Sequence, residues 1–274
     1  MTKTMLITGS SSGVGFATAK LFAERGFNVI ATMRNTDNAP DFGGLSNLIV
    51  ERLDVEDTGS IEHAINVGLQ HFGQIDLVIN NAGYGQYGIF ENLPLEKIRK
   101  NYEVNVFGVM NVMQKIIPIF RQQGEGTILN VSSCGGLIAI PASSSYISTK
   151  FAIEGFSESV YHELASQNIN IKLFEPGGIL TPFHKRSANE STGNGGATVY
   201  DAFIAQHNEN LIKISAGVAT PEKTAEDIYA AATDGTNRLR YCSPYGVEHI
   251  VNAKRTLSDE GYEAFIRTQF PLPL

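Results

Sequence analysis

Tyr146 and Lys150 are the two residues of this sequence whose chemistry and spacing are most informative. They lie four positions apart at the start of a run typical of a helix, which puts their side chains on one face with Cβ atoms about 5–6 Å apart. A free phenol has a pKa of about 10, and a nearby fixed positive charge lowers it. The pair therefore predicts an acid/base device, although a Tyr and a Lys at this spacing also occur by chance on ordinary helices.

Ser132 and Ser133 follow a predicted strand, Gly126–Val131, and precede this helix. Sites in α/β folds lie at the carboxyl ends of strands. Either serine is therefore placed to hold the oxygen atom that exchanges a proton with Tyr146.

A glycine-rich turn lies near the start of the chain. The apolar run Met5–Thr8 predicts a buried strand, and a helical pattern follows Gly9, Gly13 and Gly15. Glycines let the backbone approach a pyrophosphate, and the helix N-terminus offers free N–H groups and a favourable dipole. The spacing is G-x-x-x-G-x-G rather than G-x-G-x-x-G, so the strand before it and the helix after it carry the prediction of nucleotide binding.

Arg34 bears on which dinucleotide binds. After the second predicted strand, Asn28–Thr32, the chain has Met33 and Arg34, where an acid would bind the ribose 2′-OH of NAD. A guanidinium pairs with a 2′-phosphate, which favours NADP, although Arg34 is also compatible with a solvated loop. Asp54 follows the third predicted strand, and either accepts from an adenine amino group or caps the next turn.

Strand and helix patterns alternate along the chain, which predicts an α/β fold. We expect a doubly wound parallel sheet of the Rossmann type in three α/β/α layers, with residues 1–274 forming a single domain. The further predicted strands are Leu48–Leu53, Ile75–Ile79, Asn170–Phe174 and Leu239–Cys242, and the helices are Ser60–Phe72, Val104–Phe120, Tyr146–Gln167, Val199–Ile214, Pro221–Ala232, Gly246–Leu257 and Asp259–Phe270.

Composition excludes several classes of protein. The 274 residues carry a net charge of -7, which argues against non-specific binding to nucleic acid or to an anionic membrane. No apolar run reaches the roughly 18 residues of a membrane span, and no signal-peptide pattern is present, so we expect a cytoplasmic protein. Cys134 and Cys242 are too few for a disulfide framework, and Cys134 is interpreted as a packing residue. No metal site is expected, because the histidines lack the spacing of metal ligands.

Six motifs in order make the chain resemble the short-chain dehydrogenase/reductase family, near its steroid and retinol dehydrogenase-like members. They are Thr8-Gly9-x-x-x-Gly13-x-Gly15, Asn80-Asn81-Ala82-Gly83, Asn105-x-x-Gly108, Ser133, Tyr146-x-x-x-Lys150 and Pro176-Gly177-x-x-x-Thr181. The part of the chain beyond Thr181 resembles the family only loosely.

The resemblance implies catalytic roles for Asn105, Ser133, Tyr146 and Lys150. Tyr146 would exchange the proton, and Ser133, at the family's separation from Tyr146, would hold the same oxygen. Lys150 would lower the pKa of Tyr146 and bind the nicotinamide ribose. Asn105 would hold a water that links Lys150 to solvent. Ser132 is then interpreted as structural.

The resemblance also implies NADP(H) as the cofactor, with NAD(H) as the alternative. Ile179 would meet the nicotinamide carboxamide through its backbone, and Thr181 would contact the cofactor through its hydroxyl. The expected cofactor-binding residues are Gly9, Ser11, Ser12, Gly13, Val14, Gly15, Arg34, Asp54, Val55, Asn81, Ala82, Gly83, Tyr146, Lys150, Pro176, Gly177, Ile179 and Thr181.

The implied activity is reversible hydride transfer between the nicotinamide and a small-molecule carbonyl or alcohol. The expected substrate residues are Ser133, Tyr146, Tyr84, Leu137 and Phe183, with Ile140 beside them, because each lies at or just after a motif. The polar, glycine-rich stretch 185–197 predicts a loop, and the equivalent of residues 182–217 would cover the substrate. Such members are commonly homodimers or homotetramers through their two long helices.

Two alternatives remain open on the same scaffold. One is an epimerase or dehydratase that keeps its NAD bound; those relatives usually carry G-x-x-G-x-x-G and a larger C-terminal substrate domain. The other is a non-enzymatic NADP-binding sensor, a class that tends to lose the Tyr or the Lys.

Overall fold

The seven-stranded sheet at the centre of the molecule follows from short apolar runs that are buried on both faces. The computed structural model describes residues 2–181, 199–214 and 217–271, and within them the strand order is β3-β2-β1-β4-β5-β6-β7, with every neighbouring pair parallel. The strands are β1 Thr4–Ile7, β2 Asn28–Met33, β3 Leu48–Arg52, β4 Leu77–Asn80, β5 Gly126–Val131, β6 Ile169–Pro176 and β7 Arg240–Ser243. This arrangement confirms the predicted fold class.

Helices cover both faces of the sheet. They are α1 Gly13–Glu24, α2 Thr58–Phe72, α3 Leu95–Tyr102, α4 Gly108–Gln123, α5 Ser144–Leu164, α6 Asp201–Ile214, α7 Pro221–Thr233, α8 Glu248–Thr256 and α9 Asp259–Gln269. Side chains alternate along a strand, so in β1 Leu6 packs with α2, α4 and α5, whereas Met5 and Ile7 pack with α1 and α7. Both faces are therefore apolar, and the strand sequences are continuously hydrophobic.

The functional edge of the sheet is set by its topology. From β1 the chain moves outward through β2 to β3 and then returns to the other side of β1 as β4. Ligands bind at such a switch point, outside the carboxyl ends of the strands. Gly9 follows β1 and Asn81 follows β4, so two of the motifs meet at this crevice.

The helix predicted at Val104–Phe120 differs from the one observed. A π-helical turn, Glu103–Phe107, separates α3 from α4, so that the helical region starts at Leu95. The sequence signal for α3 is weak because the one buried residue of that helix is a polar one, Asn101. Asn105 lies inside the π-turn, where an extra backbone residue widens the helix.

A third apolar cluster lies beyond the sheet's carboxyl edge. Cys134, Ile138 and Phe270 pack there with Ile250 and Val251 of α8. None of the helices in the described ranges is long and apolar enough to cross a membrane. Phe183 and the predicted loop at 185–197 lie outside the described residues.

Candidate active site

A cleft with a volume of about 480 Å³ lies over the carboxyl ends of β1, β4, β5 and β6. Its lining joins segments that are far apart in the sequence, because parallel strands bring all their carboxyl ends to one edge. Each of the predicted cofactor-binding residues lines this cleft, as do Ser133 and Tyr84. The geometry thus brings the glycine turn and the Tyr–Lys helix to one cavity.

The glycine turn is shaped so that a phosphate could reach the backbone of α1. Gly9 and Gly13 have φ values of 72° and 58°, the left-handed region that favours glycine. A Cβ on Gly15 would lie 2.3 Å from the Gly9 oxygen, so no side chain fits there. In the described structure α1 begins without a side-chain cap on Ser12 and with no acid in its first turn, which leaves its N–H groups available to an anion.

Thr8 and Asn81 join the glycine turn to the end of β4. The Thr8 hydroxyl accepts hydrogen bonds from the backbone N–H groups of Asn81 and Ala82, both at 3.0 Å. The Asn81 amide donates back to the carbonyls of Thr8 at 2.9 Å and Gly9 at 3.1 Å. The side chain of Asn81 therefore stabilises the turn. Asn81 also lines the cleft, and its contact with the cofactor stays a prediction.

Arg34 and Asp54 lie at the end of the cleft formed by β2 and β3. Arg34 is exposed on the cleft wall, and within the described ranges it forms none of the ion pairs. Asp54 Oδ1 accepts from the Glu56 N–H at 3.1 Å, so it stabilises its own turn as well as lining the cleft. A guanidinium that has no ion-pair partner among the described residues fits a 2′-phosphate at this wall.

Ser133, Tyr146 and Lys150 meet beyond the end of β5. Ser133 and Tyr146 form a side-chain hydrogen bond, and Ser133 Oγ also accepts from the Gly135 N–H at 3.0 Å. Lys150 Nζ donates to the Val131 carbonyl at 2.9 Å and lies 5.8 Å from the centroid of the Tyr146 ring. Two hydroxyls therefore face one point in the cleft, with a cation behind them.

Burial shifts the pKa values of this pair, and for Tyr146 the shift opposes the prediction. Burial raises the pKa of Tyr146 to about 12, although the Ser133 hydrogen bond acts against it. Burial lowers the pKa of Lys150 to about 8, partly offset by the charge of Glu154. The predicted lowering of the Tyr146 pKa by Lys150 is therefore wrong for the protein alone, because desolvation of the phenolate outweighs a cation several ångströms away.

Asn105 lies behind the cleft rather than on its wall. Its amide oxygen accepts from the Tyr84 N–H at 3.0 Å, and its amide nitrogen donates to the Tyr84 carbonyl at 2.9 Å and to Thr149 Oγ1 at 3.1 Å. The side chain thus connects the segment after β4 to the turn of α5 that carries Lys150. Its predicted contact with a water remains a prediction.

The substrate end of the cleft differs in part from expectation. Tyr84, Ile138 and Ile140 line it, whereas Leu137 is not among the lining residues in the described part of the chain. The assignment of Leu137 to the substrate pocket stays a prediction.

Several lining residues were not predicted. Tyr87 lies with its ring centroid 6.0 Å from that of Tyr146, and burial raises its pKa. Its place shortly after Asn81-Ala82-Gly83 is the same signal that identified Tyr84. Five more lining residues come from the C-terminal third of the chain and carry no local sequence signal: Val218, Tyr245, Gly246, Val247 and Phe270.

Comparisons with known proteins all point to one family. The family model for short chain dehydrogenases matches residues 3–192. An uncharacterised oxidoreductase of Schizosaccharomyces pombe is 37% identical over 240 residues, which cover 88% of this chain and 100% of that protein. The oxidoreductase BOA17 of Botryotinia fuckeliana is 36% identical over 263 residues, which cover 94% of this chain and 95% of that protein.

Solved structures agree with the fold and include dinucleotide complexes. A short-chain dehydrogenase from Streptomyces avermitilis superimposes with a TM-score of 0.78 at 27% identity, covering 98% of this chain and 95% of that one. ElxO with NADP bound has a TM-score of 0.74 at 26% identity, covering 89% and 96%. A Brucella melitensis 3-ketoacyl-(acyl-carrier-protein) reductase complexed with NADH has a TM-score of 0.73 at 25% identity, covering 88% and 95%.

Proposed function

The chain belongs to the short-chain dehydrogenase/reductase family of NAD(P)-dependent oxidoreductases, and from this premise we propose that it is a carbonyl reductase that also catalyses the reverse oxidation of the alcohol. The observation that carries the proposal is the Ser133–Tyr146 hydroxyl pair, which faces the same cleft as the glycine turn. The bound nicotinamide supplies the hydride chemistry.

In the reduction, Tyr146 donates its proton to the carbonyl oxygen as negative charge develops there. A pKa of about 12 keeps the phenol protonated at neutral pH, so the donor is ready. Ser133 donates a hydrogen bond to the same oxygen and fixes its position. In the oxidation direction the phenolate is needed, and the raised pKa of Tyr146 keeps the phenolate population low at neutral pH.

Lys150 contributes charge and position. Its ammonium group is held by the Val131 carbonyl and faces the cleft, where it is available to the hydroxyls of a ribose. Asn105 supports this arrangement through Thr149 and Tyr84. We propose that Asn105 also takes part in a proton path from Lys150 to solvent.

We further propose a preference for NADPH. The support is the exposed guanidinium of Arg34 at the end of β2, where an acid would be expected for NAD.

We also propose that the segment at residues 182–217 covers the substrate end of the cleft. In the described part, Tyr200 Oη donates to Glu91 Oε2 at 2.6 Å. His207 of α6 lies 6.0 Å, between ring centroids, from Phe270, which lines the cleft. A cover of this kind excludes water and strengthens polar contacts at the reacting oxygen.

The test is the variant Tyr146→Phe, assayed with a panel of ketones, aldehydes and alcohols by nicotinamide absorbance. We expect kcat to fall by a factor of about 10² to 10⁴ while NADPH binding, measured by titration calorimetry, stays within a few-fold of wild type. Tyr161→Phe is the matched control, because Tyr161 lies on the same helix with its hydroxyl bonded to the Asn237 carbonyl outside the cleft.

Near-normal turnover by Tyr146→Phe would refute the assignment of the proton donor. Wild-type protein that binds NADPH tightly but reduces no carbonyl in the panel would favour the sensor alternative instead.

A further inference from the structure

Cys134 and Cys242, the two cysteines of the chain, meet in the folded protein although they are far apart in the sequence. Cys134 directly follows Ser133, and Cys242 lies in β7 at the edge of the sheet. Cys242 is paired in register with Glu175 of β6, and Cys134 Sγ donates to the Glu175 carbonyl at 3.4 Å. Cys242 also packs against the apolar cluster that contains Cys134.

The charged groups around the two sulfurs favour a thiolate on Cys242. The interaction with Cys134 and the positive charge of Arg255 lower the pKa of Cys242, while the same interaction and burial raise the pKa of Cys134. Glu175 also faces the pair, and burial raises its pKa to about 8, so that it is largely uncharged at neutral pH.

Two further charged groups belong to this cluster. Arg240 lies 3.4 Å from Glu175 and 3.2 Å from Glu154, and Arg255 lies 3.9 Å from Glu175. Arg240 is also paired with Glu158 at 2.8 Å, so Arg255 is the cation that acts on Cys242 when Glu175 is protonated. A thiolate with a partly exposed sulfur beside cations is the form that reacts with oxidants, and Cys242 is the more exposed of the two cysteines.

We propose that Cys134 and Cys242 form a redox-modification site, in which a hydroperoxide converts the two thiols to an intramolecular disulfide. The Cys242 thiolate attacks one peroxide oxygen, which forms a sulfenic acid and, after protonation, releases one water. The Cys134 thiol then attacks the sulfenic sulfur, its proton leaves with the hydroxyl group as a second water, and the S–S bond forms. Two thiols lose two electrons in total, and one hydrogen peroxide is reduced to two waters.

The disulfide has a consequence for the neighbouring site, which rests on the proposed function. An S–S bond of about 2.05 Å is shorter than a contact between two thiols, so it draws the Cys134 turn toward β7. Ser133 lies in that turn and bonds to Gly135. A displacement of about 1 Å at a group that contacts the reacting oxygen lowers turnover by roughly tenfold or more.

The deciding experiment measures the modification itself and needs no substrate. Full-length wild-type protein is treated with hydrogen peroxide, denatured with iodoacetamide present, and analysed by intact mass and by peptide mapping. We expect a monomer that has lost two hydrogen atoms, takes up no alkyl group and yields a peptide pair joined through Cys134 and Cys242. Two alkylated cysteines after peroxide, a disulfide only between chains, or a sulfinic acid on one cysteine would each overturn the proposal.

Activity then shows whether the disulfide acts on Ser133. Carbonyl reduction by wild type should fall roughly tenfold on oxidation and recover with dithiothreitol, whereas Cys242→Ser should keep its basal rate and not respond to peroxide. An oxidised wild type with an unchanged rate would overturn the coupling to Ser133. Absence of any reductase activity before oxidation would count against the proposed function alone, because the mass measurement does not depend on it.

Discussion

Burial shifts the pKa values of Tyr146 and Lys150 toward their neutral forms, the phenol to about 12 and the ammonium to about 8. The phenol thus stays protonated across the physiological range, while Lys150 loses its charge within a pH range that an assay can reach. The carbonyl-reduction rate should therefore fall as pH rises through about 8 if the Lys150 charge supports it. The oxidation rate should rise with pH, because the phenolate fraction grows tenfold per unit below its pKa.

Glu154 gives a direct test of this assignment. Its carboxylate lies one helical turn after Lys150 and raises the pKa of that ammonium, so Glu154→Gln should move the fall in reduction rate to lower pH. The rate on the acidic plateau should change little. Initial-rate profiles with saturating NADPH measure the effect.

Glu158→Gln is the matched control for Glu154→Gln. Glu158 also pairs with Arg240, at 2.8 Å, but it is exposed and is not among the groups that shift the pKa of Lys150. A pH profile that moves equally in both variants would show that the loss of any Arg240 partner, and not the charge near Lys150, is responsible.

Arg34 is the residue on which the proposed cofactor preference depends. Arg34→Ala removes the guanidinium at the β2 end of the cleft and should raise KM for NADPH by roughly 10- to 100-fold, the equivalent of a charge-assisted hydrogen bond. KM for NADH should stay nearly unchanged. Arg52→Ala, at the end of the next strand and paired with Asp57, serves as the control; equal changes with both cofactors in Arg34→Ala would contradict the preference.

At the scale of elements, the link between β1 and β4 holds the glycine turn in place. Two backbone N–H groups share the Thr8 hydroxyl, so Thr8→Val would leave both without this acceptor. We expect the free energy of unfolding to fall by about 1–3 kcal/mol, measured by urea denaturation with the slope of the transition unchanged.

Thr18 supplies the comparison for Thr8→Val. It is equally buried, but among the described residues its hydroxyl has no hydrogen-bond partner. Thr18→Val therefore removes no hydrogen bond and should be neutral or stabilising. If both variants lose the same stability, the hydroxyl bridge contributes nothing specific.

At the scale of the molecule, we propose that two exposed phenylalanines belong to a surface for self-association. Phe107 in the π-turn and Phe151 in α5 have relative exposures of 47% and 45%, and α5 packs against the π-turn. Phe107 lies in the predicted helix Val104–Phe120 and Phe151 in the predicted helix Tyr146–Gln167, the two helices expected to join protomers. We therefore expect a homodimer or homotetramer in which this surface is buried.

Phe151→Glu tests that expectation by light scattering during size-exclusion chromatography. Loss of one buried phenylalanine should weaken association by about 1.5–3 kcal/mol, roughly 10- to 150-fold in Kd. Leu257→Glu is the control, because Leu257 is 46% exposed but lies after α8, outside this surface. A wild-type monomer, or equal dissociation in both variants, would contradict the interface.

The amino-acid sequence by itself determined the fold class and most of the cleft lining. Strands buried on both faces produce continuous apolar runs, and the glycine turn, Asn81-Ala82-Gly83 and Tyr146 with Lys150 are each encoded in a few neighbouring residues. Parallel strands bring these motifs to one edge of the sheet, because all their carboxyl ends lie there.

Only the tertiary structure decided the features that depend on burial and on contacts between distant segments. The pKa of Tyr146 rises because the fold excludes water from the phenol. The spacing of residues in the sequence does not reveal this burial. Ile138 lines the cleft although no motif points to it, and Phe270 reaches the cleft from the other end of the chain. Cys134 and Cys242 become neighbours because β7 pairs with β6, a long-range contact that the local sequence around either cysteine does not encode.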